Sequence, residues 1–375
     1  MIHQSGTEPV KFVQNVLTDH DLVIFDDAIH SAQEPFDFYQ KLLRDPVIQK
    51  KVKYVFLEVI SITAQASLDA YINDVKADSS VLMKTFQDDY SGYGWCYQTY
   101  MDLLNTIRNV NRDLPTGEKI QVIGVNQPIY WEGIHTRKDY DLFQDSLAAR
   151  DYFLFKVILE KMDEFKSGKK GFFLTNTRHS YKHLRGLAGS LHWNTATFFD
   201  QLHPGRTYSV RIHNVTLFVE AAKTADTGTS EGLDNVQYKW IRMENGIWDR
   251  AFALAGNKPV AVPLQNNVFG KASYVGNQML DSRQDQTMYD VYDAVIFLAP
   301  LEELHVSGKF NFIFTPSFKA ELKRRIELLE GEHLQAFLKE NNATSVDAMI
   351  DALAVVSPIQ KNPFVAGLAE NPDAR

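Results

Sequence analysis

Residues 22–39 read LVIFDDAIHSAQEPFDFY, and this stretch decides the fold. It opens on LVIF (22–25), a short apolar run rich in β-branched residues, bounded by polar ones, which predicts a buried strand. It closes on PFDFY, which continues into QKLLRD and reads as a helix with Pro35 near its first turn. Between strand and helix stand Asp26, Asp27 and His30. A connection needs polar residues, but Ser, Asn or Gly would serve. Two carboxylates and an imidazole at that point raise the question of chemistry.

The strand–helix alternation repeats along the chain. Strands are predicted at YVFLEVI (54–60), IQVIGVN (120–126), GFFLTN (171–176) and YSVRI (208–212), with KPVAVPL and DAVIFLAP as two further strands. Helices are predicted at PVKFVQNVLTDH, at TAQASLDAYINDV and over most of 79–113, where SGYGWCY interrupts the pattern. One long helix is expected over 145–165, capped by Asp145 or Ser146, with Leu147, Leu154, Ile158 and Phe165 on one stripe. Three more helices are expected over 317–329, 331–340 and 345–355, with a polar loop at 222–236.

Strands separated by helices predict an α/β fold, a parallel-rich central sheet flanked by helices. One α/β domain is expected over 1–375. Its core covers about 20–215, a helical, lid-like insertion about 77–118, and a C-terminal extension about 230–375 packs on the same core.

Composition narrows the function. The chain has 375 residues, 45% hydrophobic and 23% charged, with a net charge of -8. That charge offers no electrostatic footprint for a nucleic acid. The basic run KRR at 323–325 falls in an amphipathic helix and reads as a solvated face. Cys96 is the only cysteine, which excludes an internal disulfide and cysteine-based metal sites. No apolar run is long enough for a transmembrane helix. The opening MIHQSGTEPVKF has no charged-then-apolar leader pattern, so the expectation is a cytoplasmic protein, or an exported one whose leader was removed. Neither G-x-G-x-x-G nor G-x-x-x-x-G-K-[ST] occurs, which weighs against nucleotide chemistry. G-x-S-x-G and H-E-x-x-H are missing too, which weighs against a serine α/β-hydrolase and a zincin.

In open parallel sheets, ligands bind beyond the carboxyl ends of the strands. The polar residues expected there are Asp26, Asp27 and His30 after the first strand, Glu58 within the second, Asn126 and Gln127 after the third, and Asn176, Arg178, His179 and His183 after the fourth. Arg150 sits at the edge of its helix's apolar stripe. Each has a bland reading: Asp26 and Asp27 as caps, Arg150 with Asp151 as a surface ion pair, His183 as a surface residue, GYGWCYQTY as core or lid packing. Glu58 is harder to dismiss, because a carboxylate inside an apolar strand is costly unless paired. His192, His203 and His213 have no spacing that selects them.

The ordered set resembles the erythromycin-esterase-like and ChaN-like superfamily. Its Gly-Glu-x-x-His motif after the first strand falls on DDAIH, with Asp27 at the Glu and His30 at the His. The glutamate of its second strand falls on Glu58 in FLEVI. Its Arg-Asp or Arg-Glu pair opening a helix falls on Arg150 and Asp151, and its later histidine segment on LTNTRHSYK, with His179. Asp26 stands at the family's Gly, and Asn176 at the first histidine of the later motif.

The resemblance implies metal-independent hydrolysis of a carboxylic ester or related acyl bond. The expected roles are His30 as general base, Asp27 or Glu58 supporting it, and His179 and Arg150 at the oxyanion or leaving group. Asp26, Asn126 and Asn176 are expected to bind substrate. The expected partner is a small molecule, with no cofactor. Two alternatives stand beside this reading. One is a divalent-metal enzyme using Asp27, His30, Glu58 and His179; the other is a non-catalytic haem- or ligand-binding protein.

Overall fold

The computed structural model describes residues 2, 6–186, 188–221, 236–274, 285–366 and 368. Its strands are β1 (Leu22–Asp26), β2 (Val52–Ser61), β3 (Gln121–Asn126), β4 (Lys170–Thr175), β5 (Thr207–Ile212), β6 (Thr216–Ala221), β7 (Val236–Ile241), β8 (Val260–Pro263), β9 (Ala294–Phe297), β10 (His305–Val306) and β11 (Gln360–Lys361). Seven of them form the central sheet, in the order β3-β2-β4-β1-β5-β9-β8. β1 runs parallel to β5, β2 to β3 and β5 to β9; β8 lies antiparallel to β9 at one edge. The fold is therefore α/β with a mostly parallel sheet and helices between the strands, as the alternation predicts.

The chain divides into two compact units. The first comprises Met1–Phe38, Phe172–Val306 and Gln360–Arg375; the second comprises Tyr39–Gly171 and Ser307–Ile359. In the first unit, Leu22, Val23, Ile24 and Phe25 of β1 are fully buried. Each such side chain contributes about 1.5–3 kcal/mol of hydrophobic stabilisation. Phe25 meets Phe38 and Phe172 edge-on, at 6.2 and 5.4 Å between centroids. A second apolar cluster gathers Trp248, Phe252, Phe269, Tyr292 and Phe297.

In the second unit, the segment 79–113 is helical at Ser79–Leu82, Met83–Gln87 and Gln98–Asp113, interrupted as expected around the aromatic run. That run is packing. Gly92 and Gly94 have φ of +83° and +84°, and a Cβ on Gly92 would sit 2.8 Å from the Trp131 ring. Only glycine meets both demands without strain.

Two expectations need correcting. The helix over 145–165 is not continuous. Arg137–Ser146 is one helix, capped by Thr136 and Asp139 in a reciprocal box; a 3₁₀ turn at Leu147–Ala149 follows, and a new helix starts at Arg150. Arg325 does not face solvent: it is buried, bonded to Glu321, Asp88 and the Gln87 carbonyl, with its guanidinium 4.8 Å from the Trp131 ring. The stretch after β5 contains strands β6 and β7, paired antiparallel. Of the loop expected at 222–236, all but Val236 lies outside the described residues.

Candidate functional site

The site residues form two clusters, one in each unit. In the first unit, the chain turns sharply as it leaves β1. The Asp27 N–H donates to the Thr175 carbonyl at the end of β4 (3.0 Å), and the Ile29 N–H donates back to the Asp27 carbonyl (2.7 Å). Ala28, between them, has φ +63°. A left-handed alanine is uncommon and costs roughly 1–2 kcal/mol. The turn folds His30 back on Asp27, with Nδ1 3.3 Å from Asp27 Oδ2. On the other side of the ring, the Asn176 amide nitrogen lies 2.9 Å from His30 Nε2.

These contacts fix one tautomer. A carboxylate accepts and an amide nitrogen donates. Nδ1 therefore carries the proton toward Asp27, and the lone pair is on Nε2, where Asn176 donates to it. Asp27 is almost fully buried, at 1% exposure, while the His30 side chain retains 19%. Asn176 Oδ1 also accepts from the Arg178 N–H (3.1 Å) and so caps the short helix Thr177–Ser180, which carries a buried His179. The His179 N–H donates to the Asn176 carbonyl at 3.2 Å.

Asp26 is used differently. It is fully buried. Its carboxylate accepts from the Ala28 N–H (2.8 Å), Thr177 Oγ1 (3.1 Å), Arg211 Nη1 (2.6 Å) and Tyr292 Oη (2.6 Å). Arg211 in turn donates to Thr216 Oγ1 at 3.1 Å and to Thr177 Oγ1. Burial by itself disfavours the Arg211 cation, but the Asp26 charge and hydrogen bond, with Tyr292 and Tyr274, together outweigh it and hold the guanidinium's pKa above its ordinary value. Burial, reinforced by the Asp26 charge, keeps the Tyr292 phenol protonated far above the usual range. Asp26 thus ties β1, β5 and the Tyr292 segment together and presents nothing to solvent.

In the second unit, Arg150 opens its helix and reaches strand residues. Its Nε donates to Asn126 Oδ1 at 3.0 Å, its Nη2 donates to Glu58 Oε1, and its guanidinium lies 4.6 Å from the Tyr90 ring centre. Glu58 is 3% exposed and Arg150 12%. Glu58, Arg150 and Asn126 therefore come together as a largely desolvated ion pair whose cation also donates to the Asn126 amide oxygen. It is not an exposed surface pair.

Sequence reasoning missed Arg211, Thr177 and Tyr292. Arg211 had a legible signal: like Glu58, it is a lone charge within an apolar strand, expensive unless paired. His213, which no spacing selected, is fully buried just beyond β5, with Nε2 3.0 Å from Asp249 Oδ1. Burial alone would raise the Asp249 pKa; the His213 hydrogen bond and the charges of His213 and Arg242 bring it below its ordinary value. His183 is partly exposed and pairs with Asp200 at 2.5 Å. Among the described residues, no three His, Cys, Asp or Glu side chains are gathered as a metal-holding group.

No family model matches the chain, and no curated protein matches it significantly. Solved structures do. A succinoglycan biosynthesis protein superposes with a TM-score of 0.51 at 11% identity, over 80% of this chain and 95% of its own. An erythromycin esterase, a histidine-to-asparagine mutant in its open conformation, gives 0.51 at 10% identity, over 83% of this chain and 99% of its own. A Bacillus cereus protein gives 0.45 at 12% identity, over 80% and 98%. At these identities the likeness is one of fold, and a distant one.

Proposed function

We propose that this chain is a hydrolase of a carboxylic ester or related acyl bond, a divergent relative of the erythromycin esterases, with His30 as general base. The observation that carries the reading is the Asp27–His30 pair at 3.3 Å. A buried carboxylate holds Nδ1–H, which leaves the basic lone pair on the nitrogen of a partly exposed ring. Imidazole is the side chain suited to take and return a proton near neutral pH. The fold shared with an erythromycin esterase supports an ester as the bond class.

The chemistry needs few parts. A water displaces the Asn176 amide from Nε2, gives its proton to that nitrogen and attacks the acyl carbon. Asp27 stabilises the imidazolium that forms. When the tetrahedral adduct collapses, the C–O bond to the leaving group breaks and the imidazolium returns the proton to the departing oxygen. His179, on the short helix that Asn176 caps, is assigned to the oxyanion or the leaving group. Glu58 and Arg150 are assigned no step of their own, and an Arg150→Ala variant reports whether they matter to turnover.

The test is turnover of a panel of chromogenic esters by wild type and His30→Ala. The expected loss is about 10²–10⁴-fold, with unfolding free energy changed by ~1 kcal/mol or less, because a partly exposed imidazole buries little apolar surface. A well-folded His30→Ala protein with near-normal turnover removes the reading.

A further inference from the structure

Far along the first unit, the helix Ile247–Leu254 and the short helix Val268–Lys271 border a cleft of about 510 Å³. That volume lies in the range of small-molecule sites. Its walls are apolar: Ile247, Trp248, Ala251, Leu254, Val268 and Phe269. Ile247, Leu254 and Val268 are exposed at its rim. Among the described lining residues, Glu244 is the one that ionises.

Glu244 is unusual in two independent ways. Its Oε1 is buried and has no hydrogen-bond partner among the described residues. Buried polar atoms are almost always satisfied, and each exception asks for an explanation. Its backbone, and that of Asn245, is left-handed, at φ +46° and +50°, before Gly246 at +82°. Two such non-glycine residues in succession are uncommon and cluster at ligand sites. The neighbouring cation does not relieve the carboxylate: Arg242 is committed to Glu302 at 2.5 Å and to Asp249 at 3.8 Å.

We propose that this cleft is a binding site for a small apolar amine, whose hydrocarbon part lies along Trp248, Ala251 and Phe269 and whose ammonium donates to Glu244. The charge chooses the occupant. An unmatched carboxylate in an apolar wall disfavours a fatty acid and gains little from a neutral hydrocarbon. An ammonium brings three donors and the opposite charge to the partly buried carboxylate.

The experiment is calorimetric titration of the full chain with 2-phenylethylamine, 2-phenylethanol and 3-phenylpropanoate. They share a ring and a short alkyl linker and differ in charge. The expected order is amine, then alcohol, then carboxylate, with the amine roughly tenfold or more tighter than the alcohol, as a charged hydrogen bond gives. Glu244→Gln should remove that preference and leave alcohol binding in place. Ala251→Phe, which fills the cleft, should weaken both. Equal affinity for amine and alcohol overturns the proposal, as does no amine binding in the millimolar range. So does a dimer in sedimentation that Leu254→Glu dissociates, since a second copy would then be what covers this face.

Discussion

Asp26 and Asp27 are consecutive, both buried, and both at the carboxyl end of the same strand, yet they face opposite tasks. Asp26 meets a guanidinium, a phenol, a hydroxyl and an amide, and every one of those donors belongs to the framework. Asp27 meets an imidazole that still reaches solvent. The difference is in what the carboxylate holds. A charge surrounded by fixed donors stabilises a structure, whereas a charge set behind a titratable, partly exposed ring is arranged to stabilise a change of protonation.

Removing each carboxylate in turn gives the largest contrast. Asp26→Ala leaves the Arg211 cation buried without its carboxylate and should cost about 3–5 kcal/mol in urea unfolding. Asp27→Ala should cost under ~2 kcal/mol by the same measurement, while ester turnover falls roughly 10²-fold or more because the imidazole loses its acceptor. If both substitutions act mainly on stability, the division between framework and chemistry disappears.

A finer contrast lies across the His30 ring. Asn176 holds Nε2 only until a water replaces it, so Asn176→Ala should leave turnover within about tenfold of wild type. The lost cap should still cost ~1 kcal/mol of stability. A loss of turnover as deep as that of Asp27→Ala would make Asn176 a required partner of the reaction.

The smallest effect belongs to Ala28. Its left-handed backbone costs an alanine roughly 1–2 kcal/mol, and glycine gives back about 0.4–1 kcal/mol through the freedom of the unfolded chain. Ala28→Gly should therefore raise the unfolding free energy by about 0.5–1 kcal/mol. A simultaneous drop in turnover would mean that the fixed turn, and not only its two ends, positions His30.

The sheet was legible because buried strands announce themselves. LVIF, YVFLEVI, IQVIGVN and GFFLTN are apolar runs that differ from the expected strands only in their end residues. The break at Leu147–Ala149 was not legible, since a 3₁₀ turn keeps nearly the same apolar spacing as the helices it joins. At the site, Asp27, His30 and Asn176 were named from one side of the chain and meet as neighbours. Arg325 was read as a solvated face and Arg211 was passed over for a common reason: a buried charge is recognised by its partners, and those partners come from distant segments. Asp26 was read as a substrate contact because a sequence shows the residue type and not the donors that occupy it.

Neither compact unit is built from one continuous stretch of chain. On the ribosome, the first strand emerges early but cannot pair with β5 until residues 39–171 and beyond have been made. At ~5–20 residues per second, that delay is on the order of ten seconds or more. The second unit waits longer still, for Ser307–Ile359. Until β4 and β5 are made, LVIF and its helix are a nascent segment with apolar surface and no partner strand, the situation in which chains engage chaperones. The interleaved order of the segments thus sets a timetable for biogenesis as well as an architecture.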